Sequence, residues 1–342
     1  MSPGKRWWST EVFRPGNEHC LKRQFPMKAA KNRTVTNVMY HYVRDLERSR
    51  FPKIKALELE RFRRQLDHVQ EHYNPITVED LINTVGSESQ DLPENAILLT
   101  FDDGYSDHFA NVLPLLQARG IQGAFFPPAQ AVLEHKVLDV NKIHFVLAST
   151  SDIAGLLEQI FSLMEELGKA FELEPRDHYL QKAREEHRFD SQEVVLLKRL
   201  LQRELPLPVR TEIVGRLFAQ HVTADEAAFA SELYMSVDQI EELRAAGMHI
   251  GSHGYSHAWL NHLSADEQAS EIDQSLGFLR NLGVPSENWT MCYPYGGFNG
   301  ALLQHLENRS CRLGFGVEAR IADLDRDNYL VLPRIDTNDL PS

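Results

Sequence analysis

Apolar residues run without interruption over residues 96–101 and end in the pair Asp102–Asp103. A continuous apolar run of this length is typical of a strand that is buried on both faces, as in a parallel sheet. A second apolar run, residues 123–126, follows a helix-like stretch that stops at Gly120. This alternation of strand, helix and strand predicts a parallel α/β arrangement.

The pattern changes between residues 141 and 231. Apolar residues there recur at spacings of three and four, for example at Ile153, Leu156, Leu157 and Ile160, which predicts a series of amphipathic helices. The α/β rhythm then resumes, with further strands expected at residues 248–252, 289–293 and 329–334. The helical stretch therefore interrupts an α/β body.

Polar residues that could take part in catalysis or metal binding follow several predicted strands. Asp102 and Asp103 close the first apolar run, and His253 and His257 follow the strand that ends at residue 252. The carboxyl ends of barrel strands meet on one face, where active sites are built. One Asp and two His can hold a divalent metal and leave positions open for water and substrate, while the second Asp serves as a base. This composition indicates a metal-assisted hydrolase.

Charge and cysteine content limit the alternatives. The formal net charge of -13 argues against nucleic-acid binding, because phosphate neutralisation needs clustered Lys and Arg. The three cysteines, Cys20, Cys292 and Cys311, are odd in number and widely spaced, so reduced thiols in the cytoplasm are expected. Neither a signal peptide nor an apolar run of about 18 residues is recognisable, so no membrane span is expected.

The three segments Thr100-Phe101-Asp102-Asp103-Gly104, His253-x-x-x-His257 and Tyr293-Pro294-Tyr295-Gly296 resemble, in this order, the first motifs of the polysaccharide deacetylase family. This is the NodB-homology group, carbohydrate esterase family four, and the early Tyr40-His41 pair is similar to its poly-N-acetylglucosamine deacetylase branch. The resemblance implies a distorted (β/α) barrel of seven or eight strands. It also implies hydrolysis of an N-acetyl, or sometimes an O-acetyl, group on a sugar.

On this resemblance we expect three parts of the chain. They are an N-terminal arm at residues 1–34, a NodB-like barrel at residues 35–140 and 231–342, and a helical insertion at residues 141–230. The insertion is expected to form a small core of its own, a dimer contact or a lid over the substrate.

The resemblance also implies roles for individual residues. Asp103, His253 and His257 would hold one divalent metal ion, for which zinc is the first expectation and iron, cobalt, nickel or manganese are also compatible. Asp102 would be the general base, and the backbone amide of Tyr295 would help to hold the oxyanion.

Two departures from the family pattern direct attention to other residues. Many members carry a late His as the acid, but no His follows His305 here, so His41 is expected to protonate the leaving amine. The alternative interpretation of His41 is a structural residue beside a barrel strand. Tyr293 stands where an Arg often orients the catalytic Asp, and Arg334 is expected to replace that Arg.

The expected function is deacetylation of an amino-sugar-containing carbohydrate or its activated precursor in surface polysaccharide biosynthesis. Its partner is an acylated sugar or oligosaccharide, and the oligomeric state is not predicted. Two alternatives stay open at this point. One is a metal-dependent amide or formamide hydrolase of small molecules, and the other is a non-catalytic barrel that binds carbohydrate.

Overall fold

The computed structural model describes residues 32–87, 90–182 and 191–342. The predicted N-terminal arm falls outside these residues except for its last three. The strands are β1 Thr34–Tyr40, β2 Val43–Arg44, β3 Leu57–Glu58, β4 Asn74–Pro75, β5 Ala96–Asp102, β6 Gly123–Phe126, β7 His249–Ile250, β8 Trp289–Cys292, β9 Cys311–Phe315, β10 Ala322–Asp323 and β11 Ile335–Asp336.

The α-helices are α1 Leu59–His72, α2 Val78–Gly86, α3 Leu113–Arg119, α4 Ala129–Glu134, α5 Asp139–Ser149, α6 Ile153–Phe171, α7 Arg176–Lys182, α8 Gln192–Arg199, α9 Leu207–His221, α10 Glu226–Leu233, α11 Val237–Ala245, α12 Ala265–Asn281 and α13 Gly300–Asn308. Short π-helical segments, His108–Val112 and Leu200–Glu204, precede α3 and follow α8. Among the helices of the described residues, none combines the length and the apolar character that a membrane crossing requires.

Parallel pairing joins the strands into a closed ring. Ladders connect β11 to β1, β1 to β5, β5 to β6, β6 to β7, and β8 to β9. Two parallel bridges, Ser252 with Met291 and Phe315 with Leu332, complete the ring. Over the described ranges, the ring consists of β1, β5, β6, β7, β8, β9 and the segment that ends in β11. This is a distorted (β/α) barrel, which confirms the predicted fold class.

The alternation of side chains along β5 determines what faces the barrel interior. Leu98 packs with the residues inside the ring, whereas Leu99 and Phe101 pack outward under the surrounding helices. Because successive side chains of a strand point to opposite faces, Thr100 and Asp102 face inward like Leu98. The barrel therefore carries a carboxylate inside, at the carboxyl end of its strand.

The helices α5 to α10 occupy the span between β6 and β7 and share one hydrophobic cluster. That cluster also takes in Tyr42, Tyr105 and Tyr234 from the edge of the barrel. Residues 32–342 form one compact unit. The boundaries of the predicted insertion, residues 141–230, stay a prediction, while the helices themselves begin at Asp139 and end at Leu233.

The strand predicted at residues 329–334 is wrong over its first half. Tyr329–Val331 forms a 3-10 turn, because the side chain of Asn328 accepts a hydrogen bond from the backbone N–H of Leu330. Pairing begins only at Leu332 and continues in β11. The late segment thus still closes the barrel, two to three residues further along the chain.

Candidate metal centre

The two adjacent carboxylates separate where β5 ends. Asp102 is the last strand residue and faces the barrel interior. Asp103 and Gly104 then have φ angles of +70° and +66°, which turns the chain sharply out of the strand. A side chain at Gly104 would place its Cβ 2.7 Å from Cβ of Pro127 at the end of β6, so this turn requires glycine.

Asp103 meets the two histidines that follow β7. Its Oδ1 lies 3.3 Å from Nε2 of His253 and 3.2 Å from Nε2 of His257. All three residues are buried, and their ligand atoms lie within 4.8 Å of one another. Oδ1 of Asp103 has no hydrogen-bond partner among the described residues. A buried carboxylate oxygen without a donor, facing two imidazole nitrogens, has the donor set that a divalent transition metal prefers.

The imidazole of His253 is oriented by the neighbouring strand. Its Nδ1 donates a hydrogen bond of 2.8 Å to the backbone carbonyl of Cys292 at the end of β8. In the neutral imidazole this bond fixes the tautomer and leaves Nε2, the nitrogen that faces Asp103, as the atom that could bind a metal. Burial lowers the pKa of His253, but Cys292 and the carboxylates of Asp103 and Asp102 raise it well above 6.5.

The loop between the two histidines is held by Glu271 from α12. One carboxylate oxygen of Glu271 accepts from the backbone N–H groups of Tyr255 and Ser256, both at 3.0 Å, and the other accepts from the hydroxyl of Ser256 at 2.6 Å. Gly254 and His257 have φ angles of +74° and +59°. Glu271 therefore stabilises a loop with two left-handed residues and keeps both imidazoles on the same side.

Asp102 belongs to an ion pair inside the barrel. The guanidinium of Arg334 donates from Nη1 to Oδ1 at 2.9 Å and from Nη2 to Oδ2 at 2.8 Å. Nη1 also donates to Oγ1 of Thr100 at 3.0 Å, and both charged side chains are almost fully buried. Burial raises the pKa of Asp102, but Arg334, and then His253, lower it to about 2. The carboxylate is therefore ionised at neutral pH and held in one orientation.

Cys292, the residue directly before the third motif, faces this ion pair. The buried thiol of Cys292 interacts with Arg334 and His253. The hydroxyl of Tyr293 instead donates to the carbonyl of Leu330. Asp102, His253 and Cys292 also place ligand atoms within 4.8 Å of one another. Because Arg334 occupies both oxygens of Asp102, this second set suits a metal less well.

His41 lies in the turn between β1 and β2 and is half-buried. Its backbone carbonyl accepts a hydrogen bond of 2.8 Å from Nε2 of His108. Its imidazole is close enough to Asp102 and Asp103 to lower the pKa of both carboxyls. Burial lowers the pKa of His108 to about 4, so His108 is neutral. Its hydrogen bond to the carbonyl of His41 holds the backbone of that residue.

Tyr295 lies beside the second histidine. Its ring centroid is 4.8 Å from that of His257, and the ring stacks on Trp259 at 4.4 Å with an interplanar angle of 4°. Tyr295 has a φ angle of +57°, an unusual conformation for an aromatic residue.

All seven residues expected from the sequence are thus placed around one end of the barrel. The sequence did not predict a role for Tyr105, Asn141 or Glu271. Of these, only Tyr105 could have been found from the sequence, because it directly follows the Asp-Asp-Gly run.

Comparisons with known proteins identify a family and a common fold. A family model described as polysaccharide deacetylase matches residues 89–189 and 210–313. No curated protein matches the sequence significantly. Among solved structures, the chain is similar to the deacetylase PplD from Streptococcus pyogenes in complex with acetate. That pair has a TM-score of 0.55 and 16% identity, and the alignment covers 89% of this chain and 92% of that chain.

Two further solved structures are similar. For the BpsB deacetylase domain from Bordetella bronchiseptica, the TM-score is 0.52 and the identity 14%, with 90% of this chain and 97% of that chain covered. For IcaB from Ammonifex degensii, the TM-score is 0.50 and the identity 17%, with 90% of this chain and 93% of that chain covered. At these identities, the likeness demonstrates a common fold.

Proposed function

The chain belongs to the polysaccharide deacetylase family, and from this premise we propose that it is a metal-dependent hydrolase that removes an N-acetyl or O-acetyl group from an amino-sugar-containing carbohydrate. The observation that carries the proposal is the open Oδ1 of Asp103. This buried oxygen makes no hydrogen bond among the described residues, and its neighbours are Nε2 of His253 at 3.3 Å and Nε2 of His257 at 3.2 Å. Leaving a buried carboxylate oxygen unpaired is costly unless a cation compensates it.

The donor set fits a divalent transition metal. Two imidazole nitrogens and one carboxylate oxygen suit zinc first, and also iron, cobalt, nickel or manganese. Asp103, His253 and His257 would hold the ion. When bound, such an ion supplies Lewis acidity, which polarises an acyl carbonyl and makes water more acidic.

The remaining steps follow from residues of the chain. Asp102, ionised and aimed by Arg334, accepts the proton of the water that attacks the acyl carbon. The backbone N–H of Tyr295 donates to the carbonyl oxygen as it becomes negative. His41 gives a proton to the amine nitrogen as the carbon–nitrogen bond breaks, which releases acetate and the free amino sugar. The position of His41 near both carboxylates supports this role.

We further propose a substrate that is small or carries the acyl group at an accessible end, such as an activated precursor for surface polysaccharide assembly. The helices α5 to α10 support this, because their hydrophobic cluster extends to Tyr295 at the site. They therefore border the site on the side of Tyr295. We place the enzyme in the cytoplasm, and the free thiols of Cys292 and Cys311 are consistent with a reducing compartment.

The experiment measures bound metal and released acetate on the same samples. Wild type and Asp102→Asn are each stripped with a chelator and reloaded with Zn²⁺. They are then offered N-acetylated amino sugars, their nucleotide-linked forms, O-acetyl esters and a long N-acetylated polymer. We expect both proteins to bind metal and only reloaded wild type to release acetate.

Other outcomes would contradict parts of the proposal. Metal bound without acetate from any substrate would contradict deacetylation and favour an amide or formamide hydrolase. Wild type that binds no metal would overturn the catalytic proposal altogether. Turnover of the polymer but of no small acyl-sugar would reject the proposed substrate class.

A further inference from the structure

The second oxygen of Asp103 has a defined partner, although the first is open. Oδ2 accepts a hydrogen bond from the hydroxyl of Tyr105, which is fully buried. The oxygen of that hydroxyl accepts in turn from Nδ2 of Asn141 at 2.8 Å. Asn141 belongs to α5, the first helix of the span between β6 and β7. A chain of two hydrogen bonds therefore connects this helical region with Asp103.

The direction of each hydrogen bond in this chain is determined. The hydroxyl oxygen of Tyr234 accepts a hydrogen bond from the backbone N–H of Leu138 at 3.0 Å. The same hydroxyl donates a hydrogen bond to Oδ1 of Asn141. The amide nitrogen of Asn141 therefore points the other way, where it donates to Tyr105 and, at 2.9 Å, to Tyr42. Asn141 has no exposed surface, so no water competes for these positions.

The orientation of Asn141 has a direct effect on Asp103. The oxygen of Tyr105 accepts a hydrogen bond from Asn141. The O–H group of Tyr105 is therefore directed at Oδ2 of Asp103, to which it donates. Since Oδ2 accepts this hydrogen bond, Oδ1 is the more open oxygen of Asp103 for a cation.

We propose that Tyr105 and Asn141 are positioning residues of the metal centre, which make Asp103 bind through Oδ1 alone, and that α5 is therefore part of the metal site. This inference rests on the proposed function, since it presumes a cation at Asp103. Partners that orient a metal ligand commonly contribute about 10–100-fold in metal affinity. We expect that range for the loss of the Tyr105 hydroxyl.

The chain offers a matched control for this test. Tyr42 and Tyr105 are both buried, their rings stack with centroids 4.0 Å apart, and each hydroxyl accepts from Nδ2 of Asn141. Among the described hydrogen bonds, that of Tyr105 alone continues to Asp103. Tyr42→Phe and Tyr105→Phe therefore each delete a hydroxyl bonded to Asn141. The hydroxyl of Tyr42 also lies 3.5 Å from Nδ1 of His144, and only Tyr105→Phe removes the donor to Asp103.

The measurement is the affinity of the metal-free protein for Zn²⁺, in competition with a chromophoric chelator, and for Co²⁺ by its absorption spectrum. We expect Tyr105→Phe to weaken Zn²⁺ binding about 10–100-fold and Tyr42→Phe to weaken it less than about threefold. Thermal unfolding of both metal-free variants verifies that each is folded. An equal loss in the two variants, or unchanged affinity in Tyr105→Phe, would overturn the role of Tyr105.

The role of Asn141 is tested by a double-mutant cycle. Asn141→Leu alone should weaken Zn²⁺ binding. Combined with Tyr105→Phe, it should cause little further loss of Zn²⁺ affinity, because both changes interrupt the same chain of hydrogen bonds. Fully additive losses would overturn the part of the inference that concerns α5. If wild type itself binds neither Zn²⁺ nor Co²⁺, the proposed function fails instead, which is a different result from wild-type binding that Tyr105→Phe leaves unchanged.

Discussion

Asp102 and Asp103 are adjacent in sequence, yet each belongs to a different half of the site. In the Asp102 half, which contains Thr100 and Arg334, the guanidinium of Arg334 donates to both oxygens of the carboxylate. In the Asp103 half, which contains His253, His257 and Tyr105, loops after the strands surround the carboxylate, and one of its oxygens stays open. In the Asp102 half both carboxylate oxygens are paired, whereas in the Asp103 half Oδ1 is open to the proposed cation.

This difference arises from the backbone. Asp102 is still in β5, so the alternation of side chains points it into the barrel, towards Arg334. One residue later, the φ angle of +70° at Asp103 redirects the next side chain towards the loop that carries the histidines. A single turn thus allows neighbouring carboxylates to have distinct environments, and the measurements below examine how separate they are.

The largest effects are expected from removing each carboxylate in turn. Asp102→Asn should lower kcat by about 10²–10⁴-fold while the protein still binds Zn²⁺, because only the general base is lost. Asp103→Asn should abolish Zn²⁺ binding and lower activity at least as strongly. Metal per protein and kcat are measured on both variants, with thermal unfolding as the control for folding. Loss of the metal in Asp102→Asn would show that the two halves are one unit.

A smaller effect is expected in the Asp102 half from Arg334→Lys. A lysine keeps the positive charge but cannot donate to both oxygens of Asp102, so the carboxylate is less well oriented. We expect kcat to fall about 10–100-fold, which is the cost of misplacing a catalytic group by about 1 Å. Zn²⁺ affinity should stay within about threefold of wild type, measured by chelator competition. A parallel loss of affinity would contradict the separation of the halves.

The smallest effect is a pH dependence of the Asp103 half. The pKa of His253 is raised in the metal-free protein, so below that pKa a proton on Nε2 competes with the metal. Zn²⁺ affinity should therefore fall about tenfold for each pH unit below the raised pKa. Asp102 stays ionised over this range, because Arg334 keeps its pKa at about 2. Affinity that is constant between about pH 6 and 8 would contradict a raised pKa of His253.

The sequence predicts the barrel well where its elements are long and regular. β5 has seven buried residues in succession, and the apolar run that predicts it is equally clear. β9 was not predicted, because Arg312 and Gly314 interrupt its apolar pattern. Part of the ring is closed by single bridges, such as Phe315 with Leu332, and so short a pairing leaves no periodic signal in the sequence.

The site could be predicted only as far as its short motifs extend. The Asp pair and the His pair stand out because chemically active residues directly follow apolar runs. Asn141 lies 36 residues after Tyr105 in a helical stretch. The spacing of apolar residues there predicts which face of the helix is buried, but not the role of a polar residue. Glu271 is one of several acidic residues of α12, and only the fold reveals that it holds the loop between the histidines. Such residues act through tertiary contacts, which local patterns do not encode.

The pairing of Asp102 with Arg334 also has a consequence for biosynthesis. The two residues are 232 positions apart, and Arg334 lies in the segment that closes the ring. A nascent chain that has been synthesised only as far as Asp102 therefore contains an acidic group whose cationic partner has not yet been translated. The carboxylate of Asp102 acquires this partner only when the segment that contains Arg334 has been synthesised and docked beside β1. On the proposed role of Asp102, a chain in which this segment has not docked would lack an oriented base.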